Sequence, residues 1–247
     1  MRRDRWSYGR PYGACAALVQ AALLLAGCGA PAEEATAPAN MATAADAVPP
    51  VARRPVAGPE RVVLALGDSL YAGYGLPRGQ SLPDAIERRL RDGGVNARLV
   101  NAGVSGDTSA GGRRRLAYTL DNLDRKPDLV LLGLGGNDLL RQIDPKETRA
   151  NLDAMLDELD RRGIPVVLTG MMAAPNLGPD FAARFNAIWP ELAREHKVGL
   201  DPFILQGVIG DRAAMLPDGI HPNAAGVNRI ADRLAPLVRQ RLEQRAP

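Results

Sequence analysis

From Arg61 onward, short runs of almost unbroken Val and Leu alternate with amphipathic stretches of helical length, and no other pattern in the chain limits its fold as much. The runs are Val62 to Leu66, Arg98 to Asn101, Leu129 to Leu134 and Val166 to Thr169, with a weaker one at Val198 to Leu200. A strand with one wet face alternates apolar with polar residues, whereas an unbroken apolar run marks a strand covered on both faces, as parallel strands are. The segments between them predict helices near Leu82 to Arg91, Ala110 to Asp124, Pro145 to Arg162, Pro179 to His196 and Ala224 to Glu243. The helix at Pro145 is the best marked. It has Asp144 as N-cap, Pro145 at the first helical position, Glu147 placed for a capping box and Gly163 as the stop. Such alternation predicts an α/β chain folded as a three-layer α/β/α sandwich.

In open sheets of this kind ligands bind beyond the carboxyl ends of the strands, so polar motifs that matter should follow strands. Three do. Gly67-Asp68-Ser69-Leu70 follows the first run, Ser105-Gly106-Asp107-Thr108 the second and Gly135-Gly136-Asn137-Asp138 the third. A serine at such a rim becomes a nucleophile only when a base accepts its proton. The chain has two histidines. His196 lies in the polar tail of a predicted helix, where a solvated or dipole-facing role suffices. His221 lies in the loop Asp218-Gly219-Ile220-His221-Pro222-Asn223 before the last helix, three residues after Asp218. On a tight loop that spacing lets the carboxylate accept a hydrogen bond from Nδ1–H and leaves Nε2 to accept from Ser69. Negative charge on a substrate carbonyl also needs preorganised donors. The Ser69 N–H, the Gly106 N–H and the Asn137 side-chain amide are candidates, Gly106 being equally readable as a plain turn glycine.

Competing chemistries fit less well. An α/β-hydrolase needs G-x-S-x-G, and neither Ser105 nor Ser109 has both glycines. A dinucleotide site needs G-x-G-x-x-G where this chain has G-D-S-L. A dimetal phosphoesterase would draw on Asp68, Asp107, Asp138 and His221, but such sites use more than one imidazole. A non-catalytic lipid- or glycan-binding domain would not need serine, histidine and aspartate in these loops.

The net charge of +3 suggests an acidic partner until it is located. Arg2, Arg3, Arg5 and Arg10 against Asp4 account for all of it, and the chain from Cys28 onward is formally neutral. No electrostatic footprint for nucleic acid remains. The apolar run from Ala14 to Gly27 is shorter than the roughly 20 residues of a membrane span and reads as an export signal. It ends in Leu25-Ala26-Gly27-Cys28, which resembles the lipobox of bacterial lipoproteins and implies an acylated Cys28. The expected organisation is a signal at 1–27, an Ala/Pro-rich tether at 28–60 and a domain at 61–247. Cys15 would leave with the signal, so no internal disulfide is expected and the domain must be held by its core.

With these motifs assembled, the chain resembles the GDSL or SGNH hydrolases, closest to the bacterial thioesterase I, lysophospholipase and arylesterase group. The blocks G-D-S-L, S-G-D-T, G-G-N-D and D-G-I-H-P-N occur in the family's order. The resemblance implies a flavodoxin-like sheet of five parallel strands. It implies a Ser69–His221–Asp218 triad and an oxyanion hole from Ser69, Gly106 and Asn137. It further implies no metal or cofactor, and hydrolysis of esters and thioesters through an acyl-enzyme. The segment from Met171 to Gly178 resembles the loop bordering the family's acyl-chain site. Leu139, Met172, Pro175 and Leu177 are therefore expected to touch substrate, with Leu140, Met171 and Phe181 as further apolar candidates. Relatives often have tryptophan where Leu82 stands before Pro83, which leaves chain-length preference open. The expected partners are a small acyl ester or lipid substrate and, through the N-terminal anchor, a membrane, for a monomer exported to the periplasm. An esterase for O-acetyl groups on an envelope glycan is the alternative.

Overall fold

The computed structural model describes residues 55–244. The expected signal, tether and Cys28 anchor therefore lie mostly outside the described residues. Five strands form one sheet: β1 (Arg61–Gly67), β2 (Ala97–Gly103), β3 (Leu129–Gly133), β4 (Val166–Thr169) and β5 (Gly199–Asp201). Their order is β2-β1-β3-β4-β5 and every pairing is parallel. The helices are α1 (Ser69–Ala72), α2 (Leu82–Asp92), α3 (Ser109–Asp121), α4 (Gly136–Leu140), α5 (Pro145–Arg161), α6 (Pro179–Glu195) and α7 (Ala224–Glu243). A single 3-10 turn, Pro175–Leu177, precedes α6.

The unbroken apolar runs have the physical consequence expected of them. Successive side chains of a strand point to opposite faces. Val63, Ala65, Leu129, Leu131 and Val167 accordingly enter a core shared with α2 and α7. Leu64, Leu66, Val130, Leu132 and Leu168 enter a second core shared with α3, α5 and α6. Both faces are covered, which makes the three-layer sandwich. The weak fifth run forms a strand of three residues, one position later than expected, at Gly199–Asp201.

Local capping departs from expectation at α5. Asp144 accepts from the Lys146 N–H at 3.0 Å, without the reciprocal bond from Glu147. The complete capping box instead opens α2, where Ser81 and Asp84 satisfy one another's backbone N–H groups. The short helices α1 and α4 begin within the G-D-S-L and G-G-N-D motifs. Both turn tightly because of close packing. Gly103 at the end of β2 lies so close to α1 that a Cβ there would sit 2.2 Å from the Ala72 nitrogen. Gly135 has φ +115° and lies against Trp189, leaving no room for a side chain.

Candidate active site

All three strand-following motifs meet at the carboxyl rim, joined there by the loop before α7. Ser69 is the first residue of α1. Its position is set by neighbours: Asp68 caps the helix by accepting from Leu70 N–H at 3.1 Å, and the fully buried Tyr71 ring joins its hydroxyl to Thr169 Oγ1 at 2.8 Å. Asn101 holds the other side of that turn by donating to the Tyr71 carbonyl at 2.9 Å. Arg115 ties the ends of β1 and β2 together, donating to the carbonyls of Gly67 and Ala102 and pairing with Asp107 at 2.7 Å.

The loop bearing His221 is pinned by Asn223. Its side chain accepts from Ala225 and Gly226 N–H, capping α7, and donates to the carbonyls of Ala213 and Met215. This arrangement brings His221 Nε2 to 2.8 Å from Ser69 Oγ and His221 Nδ1 to 2.7 Å from Asp218 Oδ2. The second Asp218 oxygen accepts from the N–H groups of Ile220 and His221. These bonds, the His221 N–H foremost, hold the Asp218 carboxyl down at about 2, so it is ionised across the working range. An ionised Asp218 accepts a hydrogen bond from Nδ1–H and leaves Nε2 free to accept from the serine.

The expected oxyanion donors face the same cleft. Neither Ser69 N–H nor Gly106 N–H has an acceptor among the described residues. Gly106 has φ +83°, which a glycine takes without strain. Asn137 Nδ2 gives one proton to the Asp107 carbonyl at 2.9 Å, and its second proton is available.

The cleft has a volume of about 620 Å³ and walls that are mostly apolar. Leu139, Leu140, Met171, Met172 and Leu177 line it as expected. Pro175 does not: it opens the 3-10 turn with its ring exposed, while its neighbours Ala174 and Asn176 face the cleft. Phe181 is also outside, stacked on Phe185 at 5.7 Å and packed on the α3/α5/α6 core. Sequence reading missed Tyr74, whose ring lies 4.4 Å from the His221 ring, and the walls supplied by Phe203, Leu205, Ile209 and Ile220. The segment carrying the last four lacks helical or strand periodicity, so only the folded chain brings it there.

Two of the three carboxylates that a dimetal site would draw on are committed elsewhere. Asp107 pairs with Arg115, and Asp138 accepts from Ser109 and Thr148. Among the described residues one grouping of ligand-type side chains lies close enough to share an ion, Asp153, Asp157 and His196, remote in sequence from the rim motifs. His196 Nε2 there bonds Asp153 at 2.7 Å, and Arg149 also approaches that carboxylate.

A family model described as GDSL-like lipase/acylhydrolase matches residues 65–229. The chain belongs to that family. Among its relatives, esterase TesA of Pseudomonas aeruginosa is 38% identical over 179 residues, covering 72% of this chain and 88% of TesA. Thioesterase 1/protease 1/lysophospholipase L1 of Escherichia coli is 36% identical over 180 residues, covering 71% of this chain and 84% of the relative. The crystal structure of AlinE4, an SGNH-hydrolase family esterase, is 46% identical with a TM-score of 0.64, covering 74% of this chain and 97% of that one. This GDSL-family chain is a hydrolase of the esterase and thioesterase type, and its sheet is that of the SGNH fold.

Proposed function

We propose that this chain is a serine esterase that hydrolyses lipid esters of the lysophospholipid kind. The observation that carries the proposal is the hydrogen-bonded line from Ser69 through His221 to Asp218, opening into a mostly apolar cleft of about 620 Å³. Ligand sites of this size and lining suit a largely apolar substrate with one polar centre to orient it.

In the first half-reaction, Ser69 Oγ attacks the acyl carbonyl carbon while His221 Nε2 takes the hydroxyl proton. The Ser69 and Gly106 N–H groups and Asn137 Nδ2 receive the developing oxyanion. The imidazolium, steadied by Asp218, then protonates the leaving alcohol or thiol as the carbon–oxygen or carbon–sulfur bond breaks. Water attacks the resulting Ser69 ester with His221 again as base, releasing the acid and restoring the hydroxyl. Asp218 stays ionised throughout.

The cleft argues for an acyl chain over an acetyl group. Leu139, Met172 and Leu177 offer contact along a hydrocarbon and no hydrogen bonds to a sugar. Of the large hydrophobic side chains exposed among the described residues, Tyr74, Leu140, Met172, Ile209 and Ile220 all line this cleft. The leader and Leu25-Ala26-Gly27-Cys28 support export to the periplasm and anchoring through acylated Cys28, at a membrane surface where lysolipid is at hand.

Two measurements test the reading. A fluorophosphonate probe should label the wild type and leave Ser69→Ala unmarked; absence of labelling in folded protein overturns the nucleophile. Rates on p-nitrophenyl esters of increasing chain length should rise beyond acetyl. A sharp acetyl preference would sink the lipid assignment and point to the glycan O-acetyl alternative.

A further inference from the structure

Asp138 takes no part in the chemistry above, yet it is a fully buried carboxylate that accepts three hydrogen bonds. It has no exposed surface. Its Oδ2 accepts from Ser109 N–H at 2.8 Å, and its Oδ1 accepts from Ser109 Oγ at 2.5 Å and Thr148 Oγ1 at 3.1 Å. Asn151, itself held by Arg113, donates to the Ser109 hydroxyl at 3.1 Å. No Lys or Arg pairs with Asp138 among the described residues. A buried carboxyl group without a cationic partner is a costly way to stabilise a fold, because apolar side chains of similar volume commonly do as well or better.

Its neighbours in sequence show what it holds. Asn137 and Asp138 are consecutive residues of α4, about 100° apart around the helix axis, so one reaches the cleft while the other reaches the core. On the facing loop, Asp107 and Ser109 are separated by one residue. Asn137 bonds the Asp107 carbonyl on the cleft side, and Asp138 bonds Ser109 on the core side. The same two segments are therefore joined on both sides, and Arg141 at the end of α4 adds a third tie by donating to the Gly106 carbonyl at 2.8 Å. One segment carries the Gly106 N–H and the other the Asn137 amide, whereas the Ser69 N–H belongs to α1.

We propose that Asp138 is a positioning residue of the oxyanion hole, fixing the Gly106 and Asn137 donors against each other from the buried side. The inference rests on the proposed roles of those donors. Thr148 and Asn151 anchor the assembly to α5, so the loop that carries Gly106 is tied at its Ser109 end to the core of the domain.

The test is a double-substitution cycle in the full chain, read on a soluble p-nitrophenyl ester, with thermal stability measured in parallel. Asn137→Ala alone should lower kcat by about 10²- to 10³-fold. Asp138→Asn keeps the shape but presents an NH2 where a donor now points, and should lower kcat by about 10- to 100-fold with KM within about twofold. Combined with Asn137→Ala it should cost clearly less than it does alone, because one of the two donors it positions is already gone. Leu242→Ala, a core truncation on α7 away from the site, should cost stability and leave kcat unchanged. If Asp138→Asn unfolds the protein, Ser109→Ala and Thr148→Val each remove one hydroxyl and should show the same kcat loss on a smaller scale and the same non-additivity. Effects on kcat that multiply fully with Asn137→Ala, or unchanged kcat in all three variants, would overturn the proposal. Should Asn137→Ala itself retain wild-type kcat, the donor assignment fails first, a separate outcome.

Discussion

Replacing Asp68 by Asn should make this protein more stable at alkaline pH and leave it unchanged in acid. Asp68 is 3% exposed, and burial pushes its carboxyl up from 3.8 to about 6 against the opposing pull of the Leu70 N–H and His221. Asp138 nearby adds to the rise. Because the folded state holds this proton more tightly than the unfolded chain does, folding takes up a proton between about pH 4 and pH 6, and stability falls as pH rises through that window. At 1.36 kcal/mol per pH unit, the ionised carboxylate costs the native state about 3 kcal/mol above pH 6. Asn cannot ionise and keeps a carbonyl for the Leu70 N–H. Asp68→Asn should therefore gain about 3 kcal/mol at pH 8, or roughly 6–12 °C in Tm for a domain of this size. The gain should shrink steadily below pH 6 and vanish near pH 3.5. Urea denaturation at pH 3.5, 5, 6 and 8 measures it. A stabilisation of equal size at every pH would mean a packing effect, and a loss of stability at pH 8 would refute the burial cost outright.

Other substitutions probe the site and its support. Asp218→Asn should preserve the loop but lose control of the imidazole tautomer, lowering kcat by up to about 10⁴-fold with little change in KM; a variant in which KM alone rises contradicts the assignment. Tyr74→Leu removes the ring beside His221 and should reduce kcat/KM about two- to fivefold, equivalent to about 0.5–1 kcal/mol, while Tyr74→Phe stays near wild type. Equal losses in the two variants would assign the effect to the hydroxyl. Gly103→Ala should cost about 1–3 kcal/mol by chemical denaturation, since its Cβ would fall 2.2 Å from the backbone of α1. Unchanged stability would show that α1 can move aside.

The proposed nucleophile, base and carboxylate were legible because each stands in a short motif whose local backbone sets its geometry. Asp218 and His221 are three residues apart on one loop, and Asn137 follows two glycines at a strand end. Pro175 was misplaced because a loop's resemblance does not say which of its successive residues turn inward; the 3-10 turn decides that. Tyr74, Ile209 and Ile220 were invisible as wall residues, since a cleft wall built from three separate segments leaves no periodic trace in any one of them. Asp138 was noticed only as a metal-ligand candidate. Its actual partners, Ser109 and Thr148, lie 29 and 10 residues away in sequence.

The amino-acid order alone determined the layer architecture and the end of the sheet where chemistry could occur. Strand period, helix length and the residue type at each strand exit are local properties, and every parallel crossover returns the chain to the same rim. Only the tertiary structure decided the 2.8 Å approach of Ser69 to His221, separated by 152 residues, and the stitching of Asn137 and Asp138 to the loop opposite. Those distances depend on how closely two cores pack against one sheet, and close packing is a property of the whole chain that no single segment encodes.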